Sequence, residues 1–240
     1  YMNIHFIIHE AFEGPGTFMS WAKVKEYNVS YTSVYLGEKV PDAIENIDFL
    51  IVLGGPQSPD TTIEECPHFD AAAEIKIIKN CIDAKKVVLG VCLGAQLIGE
   101  ALGAKYEHSP ETEIGCYPIT FTEEGQNNDL FTHFGKTSIV GHWHNDMPGL
   151  TSNSQIIAYS EGCPRQIVRY QKFVYGFQCH LEFNPELIEL LIENSKEELS
   201  RGLNKSFVQQ PENLRKNNYA KMEEQLNVFL TKLVREYNSR

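Results

Sequence analysis

Two apolar patterns alternate along the first half of the chain: short compact runs, and stripes that recur at three- and four-residue steps. "NIHFIIH" (3–9) and "VSYTSVYL" (29–36) read as strands on either side of a helix at "GTFMSWAKVKEY" (16–27). "IDFLIVLGG" (47–55) and "KVVLGV" (86–91) are continuous apolar runs, as expected of strands covered on both faces, and a helical stripe at "AAAEIKIIKNCIDAK" (71–85) separates them. Strands alternating with helices predict a parallel sheet with helical crossovers, and ligands bind such sheets beyond the carboxyl ends of the strands.

The second half is richer in strand patterns: "CYPITFT" (116–122), "TSIVGHWH" (137–144), "QIIAYS" (155–160), "RQIVRY" (165–170) and "FVYGFQCHLEF" (173–183). A helix is expected at "NPELIELLIENSKEEL" (184–199), with Asn184 as N-cap and Pro185 in the first helical position. Met222, Leu226, Phe229, Leu233 and Tyr237 form a last helical stripe, expected to dock on the main domain rather than on a partner. No repeat or low-complexity linker interrupts the chain, so the expected organisation is an α/β domain with a short helical C-terminal extension.

Composition narrows the function without naming it. With 240 residues a sizeable core can be buried. The net charge of −11 disfavours nucleic acid and anionic membrane surfaces as partners, leaving a small molecule or a protein. No stretch has the uninterrupted apolarity of a membrane span, and no basic, then apolar leader opens the sequence, so a cytoplasmic location is expected. The six cysteines are scattered without a CxxC pair, which signals neither a disulfide scaffold nor a zinc site.

Cys92 stands out because of where it lies. Gly90-Val91-Cys92-Leu93-Gly94 has the form glycine-x-nucleophile-x-glycine, at the point where an apolar strand pattern gives way to a helical one. A sharp strand-to-helix turn crowds neighbouring Cβ atoms, so glycines flank it, and the free N–H groups and dipole of the helix start favour thiolate. Leu93, Leu97 and Ala101 would seat this helix on the sheet, with Gly103 ending it. The alternative for this motif alone is a small core thiol at a tight turn.

A nucleophilic thiol needs a base, and the base needs an orienting group. His180 and Glu182 lie two apart in a strand pattern and so share a face; if that strand runs parallel to the one before Cys92, His180 reaches the sulfur while Glu182 fixes the imidazole. "LGGP" (53–56) ends the neighbouring buried strand, which makes the backbone N–H groups of Gly55 and Leu93 the candidate oxyanion donors.

"LGGP", "GVCLGAQ" and "GFQCHLE", in that order, resemble the class I, triad-type glutamine amidotransferases, and "EIGCYPI", "HWHNDMP" and "SEGCPRQ" are similar to their free-standing, GMP-synthase-like members. The resemblance implies a three-layer, flavodoxin-like α/β fold around a mainly parallel central sheet, with a catalytic domain over residues 2–186 and a helical extension over 187–240. It implies a Cys92-His180-Glu182 triad that hydrolyses the side-chain amide of glutamine through a γ-glutamyl thioester, without cofactor or metal. Gln96 would hold the substrate, with further contacts from His144, Asn145 and Asp146. Three departures stand out: Leu181 where many relatives have proline, Cys179 where an apolar or aromatic residue is usual, and Asn145 where glycine is common. Asparagine is the next most tolerant residue of positive φ, so that turn is expected to survive.

Competing readings share the same residues. The protein is a glutaminase that passes ammonia to a synthetase or other acceptor subunit, a stand-alone hydrolase of other γ-glutamyl amides such as peptides, or a non-catalytic binding protein on the same fold. His142 and His144, on one strand face, are a weak metal signal. His5 and His9 are expected to be structural or at the pocket edge, and Arg165 and Gln166 to lie on a surface loop.

Overall fold

A computed structural model describes residues 1–240. The elements are β1 (Asn3–Ile8), α1 (Thr17–Val24), β2 (Asn28–Ser33), β3 (Phe49–Val52), α2 (Ala71–Asp83), β4 (Val87–Val91), α3 (Leu93–Ala101), β5 (Glu107–Phe121), α4 (Glu123–Gln126), β6 (Thr137–Met147), β7 (Gln155–Tyr159), β8 (Ile167–Gln171), β9 (Val174–Phe177), α5 (Pro185–Asn194), α6 (Lys196–Arg201), α7 (Pro211–Lys216) and α8 (Ala220–Asn238). All nine strands join one sheet in the order β2-β1-β3-β4-β9-β8-β7-β5-β6. From β2 to β9 neighbouring strands are parallel, and from β9 to β6 they are antiparallel. The helical crossovers make the first half parallel, while in the second half β6, β8 and β9 each return beside the strand before them and β7 passes β6 to pair with β5.

Helices cover both faces of the parallel part, which explains why its strands are apolar throughout. Ile4, Phe6, Phe49, Ile51 and Leu89 face α1, α5 and α8; Ile7, Leu50, Val52 and Val88 face α2 and α3. No helix is long and apolar enough to cross a membrane.

The C-terminal stripe packs into the larger core. Met222, Leu226, Phe229, Leu233 and Tyr237 are all buried there, and Phe229 lies against Phe131, Tyr175 and Phe177 with ring centroids 4.9, 5.6 and 5.2 Å away. Phe229→Ala is expected to cost roughly 3–5 kcal/mol in a urea titration, because the ring leaves a cavity that the surrounding aromatics cannot close. A change below ~1 kcal/mol would mean that α8 is not part of this core.

Two local expectations change. The helix expected over 184–199 begins as anticipated, with the Asn184 side chain accepting from Leu187 N at 2.8 Å, but it breaks at Ser195 (φ −131°, ψ 27°) into α5 and α6. Asn194 and Ser195 are weak helix formers that compete for backbone hydrogen bonds, and the Asn194 amide donates to Leu190 O. The strand expected over 173–183 ends at Phe177, and His180 instead makes an isolated bridge to Gly141.

Candidate active site

The carboxyl ends of the adjacent strands β3 and β4 and the start of α3 form one corner. A Cβ on Gly94 would overlap the Val52 carbonyl oxygen, so glycine allows α3 to pack this close to β3. Cys92, between β4 and α3, has φ 55° and ψ −110°, a strained conformation for a residue with a side chain. It is held there by its N–H, which donates to Phe177 O at 2.7 Å, and by its carbonyl, which accepts from Gln96 N at 3.2 Å. The sulfur accepts from the Gln178 amide at 3.2 Å and donates to the Trp143 carbonyl at 3.7 Å. Gln96 donates in turn to Gln178 Oε1 at 3.0 Å. Gln178 lies within the quoted "GFQCHLE" stretch, yet its role at the sulfur is not legible there.

Strand β9 runs parallel to β4 with Phe177 opposite Val91, and the chain, bending after Phe177, delivers His180 and Glu182 to the same corner. His180 Nδ1 lies 2.8 Å from Glu182 Oε2, while His180 Nε2 is buried without a hydrogen-bond partner. The ring stacks on Phe183 at 4.4 Å, the His180 N–H donates to Gly141 O, and the Glu182 carbonyl accepts from Thr17 N, so the pair is fixed from three sides. A Cβ on Gly54 would sit 3.2 Å from His180 Cε1 and 3.3 Å from Cys92 Cβ, which places both groups over the same glycine. Burial works against charge on His180, but the Glu182 carboxylate and Cys92 outweigh it and raise its pKa well above the ordinary histidine value.

The corner opens into a pocket whose acidic lining residues are Glu13, Asp146 and Glu198, without Lys or Arg. Glu13 reaches it from the loop after β1, its Oε1 also 3.2 Å from the Gly54 Cβ position. Burial raises the Glu13 carboxyl to about 7, against the opposing influence of His180 and His9. Glu198 comes from α6 and accepts from Trp143 Nε1 at 2.8 Å. Sequence pattern does not single out Glu13, Trp143 and Glu198 as site residues: they are far apart in the chain, and no local motif joins them. Gly55 and Leu93 both line the pocket, and their N–H groups donate to nothing within the chain.

The expected substrate contacts divide into two groups. Asp146 lines the pocket with Oδ1 2.6 Å from His108, and Asn145 beside it accepts from Thr112. Asn145 belongs to β6 and does not have positive φ, so no left-handed turn stands where it replaces glycine. Gln96 and His144 are almost fully buried and already engaged, Gln96 with Gln178 and His144 with Glu113 at 2.9 Å.

Glu113 is the centre of a buried network under the hairpin of β5 and β6. It accepts from Ser160 and Gln166 as well as His144; His144, His142 and Ser160 overcome the cost of burial and hold its carboxyl below the usual range. Burial pushes His142 down to about 4. Gln166 therefore lies in the interior rather than on a surface loop, while Arg165 beside it pairs with Glu107. Glu113, His144 and Cys163 are close enough to surround a cation, but both Glu113 oxygens are occupied by hydrogen bonds from Ser160, Gln166 and His144.

Residues 17–197 match the family model for glutamine amidotransferase class-I. The chain is 52% identical over 232 residues to the glutamine amidotransferase-like protein YfeJ of Salmonella typhimurium, covering 97% of each. Its fold is similar to the crystal structure of SMU.1228c, with a TM-score of 0.95, 46% identity, and coverage of 97% of this chain and 100% of that one. It also resembles a glutamine amidotransferase from Thermotoga maritima, with a TM-score of 0.85 at 24% identity over 97% of this chain and 98% of that one.

Proposed function

Because the chain belongs to the class I glutamine amidotransferase family, we propose that it hydrolyses a γ-glutamyl amide, glutamine first among them, through a thioester on Cys92. The observation that carries this reading is the strained Cys92 turn beside a His180–Glu182 pair whose free ring nitrogen has no other partner.

Glu182 accepts the Nδ1 hydrogen and aims Nε2 at the sulfur, and the raised proton affinity of His180 makes it the base that takes the proton of Cys92. The Cys92 thiol passes its proton to Nε2 as sulfur attacks the amide carbon, and the oxyanion is received by Gly55 and Leu93 N–H. The imidazolium then protonates the leaving nitrogen, ammonia departs, and the γ-glutamyl thioester remains. Water attacks the thioester with His180 again as base, releasing glutamate and restoring the thiol. Asp146, Glu13 and Glu198 offer acceptors for the substrate α-ammonium. Gln96 acts through Gln178 on the sulfur, and Asn145 and His144 shape the adjoining wall.

The test is glutamate release by the isolated protein, first from glutamine and then from a panel of γ-glutamyl dipeptides. Release from either supports the proposal, and the ratio between them assigns the leaving group. Inertness alone with activity after adding a synthetase would assign the chain as a partner-dependent subunit. Inertness in both settings would contradict catalysis.

Glu13 gives the reaction a pH dependence. Its carboxyl faces His180, His9, Glu182 and Glu10, and with its pKa raised to about 7 it is neutral below that pH and charged above it. The charged form stabilises the imidazolium that develops as Cys92 attacks, so kcat/KM should rise with pH through about 7 in the wild type. Glu13→Gln should shift or flatten that limb. Superimposable pH profiles for the two proteins would remove Glu13 from the reaction.

A further inference from the structure

Behind the Gly54–Gly55 turn lies a buried pair that the thioester chemistry does not use. His9 follows the end of β1 and Glu74 belongs to the first turn of α2; both side chains are fully buried. His9 Nε2 is 2.6 Å from Glu74 Oε1, and His9 Nδ1 is 3.1 Å from the Gly54 carbonyl oxygen. A carbonyl only accepts, so Nδ1 carries a hydrogen and donates it. Burial opposes a charge on the ring, but the Glu74 carboxylate, acting by charge and hydrogen bond, outweighs it and holds His9 above the ordinary histidine value.

The carbonyl of Gly54 and the N–H of Gly55 belong to one peptide plane, and the chain has no cis peptide bond. The two groups therefore point in opposite directions. Anchoring the carbonyl on His9 turns the N–H away from His9, and it has no partner within the chain. Contact is direct: a Cβ on Gly55 would lie 3.0 Å from His9 Cβ, so the ring's stem packs against the turn itself.

We propose that the His9–Glu74 pair is a positioning device for oxyanion binding, locking the Gly54–Gly55 peptide with its N–H presented to the reacting carbonyl. Glu74 holds the ring, the ring holds the carbonyl, and the peptide plane transmits the constraint to the donor. This rests on the assignment of Gly55 as an oxyanion donor in the proposed hydrolysis. It gives His9 a role distinct from that of His180, since it touches neither sulfur nor substrate.

The test compares wild type, His9→Gln, and the double variant His9→Asn/Glu74→Gln, with rates normalised to active sites titrated by an electrophilic glutamine analogue. Glutamine places no amide nitrogen at the Nδ1 position. Asparagine does, and the second substitution removes the charge that would otherwise be left buried. His9→Gln is expected to lower kcat by about 10- to 100-fold with KM nearly unchanged, and to weaken binding of a glutamate semialdehyde analogue, whose adduct with Cys92 carries the oxyanion. The double variant should recover most of kcat. Unchanged kcat per titrated site in His9→Gln overturns the inference while leaving the hydrolysis intact, whereas a wild type without hydrolysis overturns the functional reading itself. If His9→Gln does not fold, the double variant decides: near-native kcat supports the device, and a large loss of kcat in a folded protein contradicts it.

Discussion

Cys92→Ser is expected to lower γ-glutamyl hydrolysis by about 10⁴- to 10⁶-fold while the protein stays folded. Serine replaces the sulfur with a smaller atom in the same small, nearly buried space, and neither hydrogen bond that holds the Cys92 backbone is lost. What disappears is the nucleophile, because a hydroxyl gives up its proton far less readily than a thiol and this base is tuned for a thiol. Four of the other five cysteines are held as thiols. Burial pushes Cys81 and Cys163 up to about 11 and Cys116 to about 12, and holds Cys179 well above the ordinary thiol value, so all four are protonated at neutral pH. A diazoketone analogue of glutamine should therefore label the Cys92 peptide. Labelling of Cys163 or Cys179, or full activity in Cys92→Ser, would overturn the assignment.

His180→Ala should be nearly as damaging, at about 10⁴- to 10⁶-fold, and Glu182→Gln less so, at about 10²- to 10⁴-fold. His180 carries the proton in both halves of the reaction: off the sulfur and onto ammonia in the first, then off water and back onto sulfur in the second. Glu182 contributes orientation and charge through a single 2.8 Å hydrogen bond to Nδ1, and part of the orientation survives its loss. The stacked Phe183 ring and the His180 N–H bond to Gly141 still restrain the imidazole. Measured by kcat on glutamine, a Glu182→Gln loss equal to that of His180→Ala would mean that the carboxylate does more than orient. A loss below about tenfold would remove it from the triad.

Local pattern singles out Cys92, His180, Glu182, Gly55 and Leu93 through a glycine-flanked turn, a two-residue spacing and a glycine pair at a strand end, although the strand that the spacing assumed stops at Phe177 and bent chain carries His180 and Glu182 instead. The order of runs and stripes likewise carries the parallel half of the sheet and its two helical layers. What stayed hidden depends on contacts between distant segments. "FVYGFQCHLEF" is buried from Val174 to Phe183, so its pattern gives no sign that the ladder stops at Phe177. His144 and Gln166 look like candidates for a surface or a pocket until Glu113, far away in sequence, is seen to bind both. Glu198 looks like an ordinary surface charge of a C-terminal helix until Trp143, far away in sequence, is seen to donate to it at the pocket. Asn145 shows the converse: a position where relatives commonly have glycine need not be left-handed, and here it is strand.

The thioester itself is the most direct test of the mechanism. Wild-type protein mixed with saturating glutamine, quenched in acid within the steady state and digested, should yield the Cys92 peptide carrying a γ-glutamyl group, which hydroxylamine removes and which Cys92→Ser lacks. A γ-glutamyl group on any other residue, or steady glutamate release with no acyl group on Cys92, would contradict it.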